Sequence, residues 1–299
     1  MEGYCMNNVR KPTVSGMFYE HEKASLKRQI ETCFLSSHGP GSISSKEKKK
    51  ASLKGVIVPH AGYVYSGGTA AFSYNAIIEN GLADVYIILG PNHSHVGSGV
   101  AMAAGGFWQT PLGKTVVDET IVTKLSGGII DVDDATLNTR ENSIEVQLPF
   151  LQYISTNQSF SIVPIAMAMQ DYDTAYDIGC QLAEVIKQEK RKIIMIASTD
   201  FSHEGISYGK MPPTEKVNDF VEQQDSYVIS QIKNLHPKEL IDVVYDKNIS
   251  MCGYGPVAAL LIASKKLGAS SAELLKYSTS YDVYPDSNAC VGYASFAIF

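Results

Sequence analysis

The stretch that decides the fold is Val85-Tyr86-Ile87-Ile88-Leu89-Gly90-Pro91-Asn92-His93. Its first five residues are apolar with no polar alternation. That is the pattern of a strand covered on both faces, as in a parallel sheet. Gly90-Pro91 ends the run, and His93 stands just beyond it. Two other runs repeat the arrangement: Gly55 to Val58 stops at Pro59-His60, and Ile193 to Ala197 stops at Ser198-Thr199-Asp200. Residues 160–165, 274–280 and 290–299 read as further strands. Helical periodicity predicts helices over 68–79, 173–188, 214–233, 237–245 and 256–267. Leu26, Ile30, Cys33 and Phe34 mark an earlier amphipathic helix. Strands alternating with helices predict an α/β fold.

Composition narrows the function classes. Hydrophobic residues make up 44% of the 299 and charged residues 19%, enough for a sizeable core. The net charge of −6 argues against nucleic acid as a partner. No apolar run reaches the roughly 20 residues that span a bilayer, so no membrane segment is expected. Met1 to Pro12 lacks the apolar centre of a secretion signal. The five cysteines are an odd number and none has CxxC spacing, so free thiols and a cytoplasmic setting are expected. Ser36 to Lys54, with Lys46, Lys48, Lys49 and Lys50, reads as an exposed loop within a single domain over 1–299. There is no phosphate loop of the GxxxxGK[ST] type, no GxSxG and no HExxH.

The chemistry gathers where the buried runs end. In open α/β sheets, ligands bind beyond the carboxyl ends of the strands. His60 follows the first run and His93 the second, with His95 two residues later. Asp200 and His203 follow the third. Three exits carrying metal-type ligands point to one shared site. Cys252, in Cys252-Gly253-Tyr254-Gly255-Pro256, lies just before a helix N-terminus, where a thiolate is favoured. Cys33 and Cys180 lie within helical patterns and read as core. Glu145 precedes Pro149, whose missing N–H leaves the Glu145 carbonyl without its helical donor, so the chain there is kinked or only beginning a helix. A surface carboxylate is the plain reading of Glu145; a supporting or general-base role is the sharper one. Two His with a carboxylate suit non-haem Fe(II), whereas Cys with His also suits Zn or Cu.

These blocks carry a resemblance. PHAGY at 59–63, GPNH at 90–93, SIEVQLPF at 143–150, STDFSH at 198–203 and CGYGP at 252–256 stand in the order and spacing of the Memo-like proteins. That family is named after a mediator of cell motility, and its microbial members are also called component B of the AmmeMemoRadiSam system. Arg10, Pro12, Gly16, Phe18 and Tyr19 resemble its opening motif. The family is similar in fold to class III extradiol dioxygenases with a LigB-type subunit, which implies one three-layer domain around a mixed sheet. By motif, the resemblance implies His60, His93 and Cys252 as metal ligands and Asp200 and His203 as pocket residues, with Glu145 in a shared helical motif. It implies Fe(II) as cofactor, with Cu or Zn as alternatives, and a small-molecule oxidation. In that reaction His203 would serve as acid–base or orient a bound oxygen species, and Asp200 would fix the His203 tautomer or bind substrate. It also implies two rival roles: an adaptor for phosphorylated peptides, or a partner in a radical-type modification system. Two departures stand out. Cys252 occupies the metal position that is Glu in the dioxygenases, and Asn142 stands where many members have His.

Overall fold

The computed structural model describes residues 8–45, 52–134, 140–210 and 216–299. In chain order the elements are β1 (Val9–Arg10), α1 (Lys23–Leu35), β2 (Gly55–Val58), α2 (Tyr63–Glu79), β3 (Val85–Pro91), β4 (Val100–Met102), β5 (Phe107–Thr110), β6 (Gly113–Val117), α3 (Glu119–Leu125) and β7 (Asp131–Val132). A 3₁₀ turn, Glu145–Gln147, leads into α4 (Leu148–Ile154). Then follow β8 (Ser161–Met167), α5 (Tyr172–Gln188), β9 (Ile193–Ser198), β10 (His203–Glu204), α6 (Val217–Lys233), α7 (Pro237–Asp246), α8 (Tyr254–Lys266), β11 (Ala272–Thr279) and β12 (Cys290–Ile298).

The twelve strands of the described residues form one mixed sheet. Its centre, β6-β8-β3-β9-β2, is parallel; β12 then pairs antiparallel with β2, and β11 and β10 pair antiparallel with β12. Every residue of β2, β3 and β8 is buried, which is why these segments read as unbroken apolar runs. Helices α1, α2 and α4 pack together as one layer, with α2 against β2, β11 and β12. On the other side α8 packs on β9, β3 and β2 and is covered in turn by α5. Residues Val257 to Ala263 of α8 are all buried, as expected of a helix between a sheet and another helix. Gly179 of α5 lets that pair close up, because a Cβ there would stand 2.7 Å from Ile262. The α/β domain with a mixed central sheet is therefore as expected.

Some boundaries differ for physical reasons. Helix α2 begins at Tyr63, five residues before the expected start at Gly68. Gly67 and Gly68 are helical because other elements press against them. A Cβ on Gly67 would meet the Cys33 sulfur at 2.5 Å, and one on Gly68 the His38 carbonyl at 2.8 Å. Strands β4 to β7 are short, and β5 to β7 mix in polar residues, so no long apolar run announced them. Of the expected loop over 36–54, Leu53 is buried and the Lys54 amide donates to the Ile298 carbonyl. The cluster Lys46, Lys48, Lys49 and Lys50 lies outside the described residues, as does Cys5. No helix among the described residues is long and apolar enough to cross a membrane.

Candidate metal centre

Strand register builds the site. Val58 of β2 pairs with Ser198 of β9, so the residues two places further on, His60 and Asp200, leave the sheet side by side. The Asp200 Oδ1 accepts from the His60 amide at 2.8 Å and the Ala61 amide at 3.2 Å. Strand β3 flanks β9 on its other edge and delivers His93 to the same rim. Cys252 comes from the opposite direction, one residue before Gly253, which caps α8. A Cβ on Gly253 would stand 2.7 Å from the Ser198 carbonyl, so glycine allows this turn to press on the end of β9. The Cys252 Sγ then lies 3.2 Å from His60 Nε2 and accepts from the Asp200 amide at 3.2 Å. The His60 and His93 rings are almost perpendicular, with centroids 5.3 Å apart. One donor atom each from His60, His93 and Cys252 falls within 4.8 Å of the others.

The hydrogen bonds behind these residues fix which nitrogen faces inward. Ser198 Oγ donates its one hydrogen to the Ser143 carbonyl at 2.6 Å. It must therefore accept from Gln147 Nε2 at 2.8 Å and from His60 Nδ1 at 3.0 Å. Gln147 is itself oriented, because Nε2 also donates to the Pro59 carbonyl. His60 consequently carries a proton on Nδ1 and turns Nε2 toward Cys252. Glu141 does the same for His93. Its carboxylate accepts from His93 Nδ1 at 3.1 Å and is held by the Ser143 and His93 amides. Imidazole ligands need this arrangement, in which a carboxylate or hydroxyl on one nitrogen aims the other.

The electrostatics agree. Burial opposes ionisation of Cys252, but the charge of His60 and hydrogen bonds from both histidines outweigh it and bring the thiol down to about 5. Burial likewise opposes protonation of His93, yet hydrogen bonds to Cys252 and Glu141 push it up to about 10. Glu141, despite burial, is held at about 2 by His93. A thiolate between cationic imidazoles is an arrangement that one divalent cation can replace while releasing protons. The donor set therefore fits a divalent metal.

A cavity of about 440 Å³ opens beside the cluster, lined by His60, His93, Asn142, Asp200 and His203 together with Phe18 and several tyrosines. His203 Nδ1 lies 3.1 Å from the Ser250 carbonyl. A carbonyl only accepts, so Nδ1 carries a proton, and in the neutral ring Nε2 is the acceptor. This corrects the expectation that Asp200 fixes the His203 tautomer; Ser250 does so. Asp200 instead braces the His60 backbone. His95 is exposed with φ 51° and does not line the cavity.

Glu145 also requires correction, because it is no surface residue. It is fully buried, and both carboxylate oxygens are occupied. Arg10 Nη1 donates to it at 2.6 Å, Tyr19 Oη at 2.8 Å, and the amides of Thr13 and Val14 at about 3 Å. It is not among the cavity-lining residues. It pins the segment 10–19, whose Phe18 carbonyl accepts from the Tyr63 amide at the head of α2. Sequence reasoning missed Glu141, Gln147 and Ser198 as orienting groups. Gln147 and Ser198 lie inside the motifs quoted above, but their partners are distant in the chain.

Comparison with known proteins assigns the chain to a family. The family model described as "Memo-like protein" matches residues 10–297. A MEMO1 family protein of Methanococcus maripaludis is 45% identical over 294 residues, covering 97% of this chain and 99% of its own. One from Methanopyrus kandleri is 42% identical over 288 residues, covering 96% of this chain and 97% of its own. An uncharacterized protein of Escherichia coli K12 shares the fold alone, with a TM-score of 0.52 at 13% identity over 83% of this chain and the whole of the other. The chain belongs to the Memo-like protein family.

Proposed function

We propose that this chain is a metal-dependent redox protein in which His60, His93 and Cys252 hold ferrous iron beside a small-molecule cavity. The observation that supports it is the gathering of one donor atom each from His60, His93 and Cys252 within 4.8 Å of one another, each imidazole held by an oxygen acceptor on Nδ1. Bound iron would supply electron transfer and activation of oxygen toward an organic substrate. The protein's own residues do the rest. Glu141 and Ser198 keep both imidazoles in the ligating tautomer. His203 lines the cavity with its Nδ1 held by the Ser250 carbonyl, which leaves Nε2 to exchange a proton with a substrate hydroxyl. Asp200 holds the turn that carries His60. A second reading has its own observation: thiolate is a softer donor than carboxylate, which favours copper or zinc at the same three residues.

Metal analysis of anaerobically isolated protein tests the proposal. Iron at one equivalent per chain, absent from His60→Ala, supports it, as does oxygen uptake with a catechol-type substrate that His203→Gln abolishes while iron is retained. Zinc alone, or metal content unaffected by His60→Ala, would overturn it.

A further inference from the structure

We infer that the cavity beside the metal cluster selects a small aromatic amine, a cation with a flat body, and refuses anions. The inference deepens the small-molecule reading above and stands on the cavity itself. Two carboxylates reach the cavity, Asp200 and Asp286; among the described residues no Lys or Arg lines it, and its cationic groups are the His60 and His93 imidazoles, which lie against the Cys252 thiolate, Asp200 and Glu141. Asp200 is only 4% exposed, and its Oδ1 is taken by two backbone amides. Its Oδ2 accepts no hydrogen bond among the described residues; the nearest cationic group is His60 Nε2, at 3.9 Å. Oδ2 therefore opens on the cavity, where water reaches it, and an entering ammonium supplies both charge and donors. Asp286 sits on the segment between β11 and β12. Its Oδ1 accepts from the Asn288 amide, and it forms no ion pair among the described residues.

Aromatic faces complete the selection. Tyr65, Tyr208, Tyr284 and Tyr293 line the same space. Tyr284 is exposed at the mouth and Tyr293 is buried. Tyrosine faces stack on a flat ring and attract a cation, as aromatic cages do for ammonium ligands. The volume matches a molecule of drug size or smaller, not a folded partner. Even with a divalent ion at the three ligands, the carboxylates of Glu141, Asp200 and Asp286 and the Cys252 thiolate leave the region negative. A phosphate or carboxylate would enter against that field.

The test uses two phenols that differ in one group: tyramine carries an ammonium and 4-hydroxyphenylacetate a carboxylate. Binding of each to the full chain is measured by calorimetry, first in chelator-stripped protein and then in protein reloaded anaerobically with ferrous iron. The stripped protein is decisive, because a carboxylate can ligate a metal directly. Tyramine is expected to bind at least about tenfold tighter there, in keeping with charge complementarity. Asp286→Asn should weaken tyramine about fivefold and leave 4-hydroxyphenylacetate unchanged or slightly stronger. Tyr284→Leu should weaken tyramine by about threefold through loss of the cation–π face. Equal or tighter binding of the carboxylate, or an Asp286→Asn effect equal on both, would overturn the inference. Amine preference in stripped protein that takes up no iron would leave the inference standing and remove the iron reading.

Discussion

Glu141 and Glu145 lie four residues apart, both are buried, and they do different work. Glu141 faces the strand exits and aims His93 at the metal position. Glu145 faces the other way and closes on Arg10, Thr13, Val14 and Tyr19, fastening the N-terminal segment to the domain. Arg10 joins the two regions, since its Nη2 also donates to the Glu141 carbonyl at 2.8 Å. The difference teaches that burial of a carboxylate does not identify a catalytic residue. What identifies the role is the partner: a titratable imidazole at the cavity, or a permanently charged guanidinium with backbone amides.

The largest effect should come from breaking the clamp. Glu145→Ala removes one half of a buried ion pair and should cost about 3–5 kcal/mol. Urea unfolding measures it, and a loss under about 1 kcal/mol would mean the clamp is weak. Metal affinity per folded molecule should change little.

A third buried carboxylate sharpens the contrast, because it has neither Arg nor a metal ligand beside it. Asp225 accepts from the Ser202 amide at 2.9 Å and Tyr277 Oη at 2.8 Å. Burial outweighs these bonds and raises it from 3.8 to about 6. A raised folded pKa binds the proton more tightly in the folded state. Its contribution is therefore full below pH ~4 and is lost as pH rises to ~6, about 3 kcal/mol in all. The difference in unfolding free energy between wild type and Asp225→Asn should show that slope between pH 4 and 6. A difference flat across that window would contradict it.

Glu141→Gln tests the other side of the comparison. It keeps the shape but removes the charge that holds His93, and metal affinity should fall about 10–100-fold. Stability should fall less than for Glu145→Ala. The reverse ranking would reverse the assignment of the two carboxylates. The smallest effect is expected at Ser198→Ala, which leaves Gln147 and His60 to find other partners. Metal affinity should drop several-fold, near the worth of about one hydrogen bond of 1 kcal/mol. Competition against a chromophoric chelator reads both variants.

The strand exits were legible in the sequence because three independent signals coincide there: a doubly buried strand, its abrupt end, and a His or Asp just beyond. Register does the remainder, since pairing Val58 with Ser198 places His60 against Asp200 without any further instruction. Cys252 was legible from the glycines and the helix that follow it. The clamp was not legible as such. Its residues lie in two recognisable motifs, but Arg10 and Glu145 are 135 positions apart, and periodicity reports which face is buried, not what meets it. Glu141 was missed for the same reason, and so was the Ser250 carbonyl that sets His203. Gly67 and Gly68 misled because glycine near a helix reads as an end, whereas here it answers close packing from Cys33 and His38.

The central claim is that His60, His93 and Cys252 bind one divalent ion through two Nε2 atoms and one sulfur. Cobalt substitution tests it most directly. Anaerobic titration of the chelator-stripped full chain with Co(II) should saturate at one equivalent and produce a near-ultraviolet thiolate-to-cobalt charge-transfer band. Cys252→Ser should lose that band. A chain that binds no cobalt, or a band that persists in Cys252→Ser, would contradict the account.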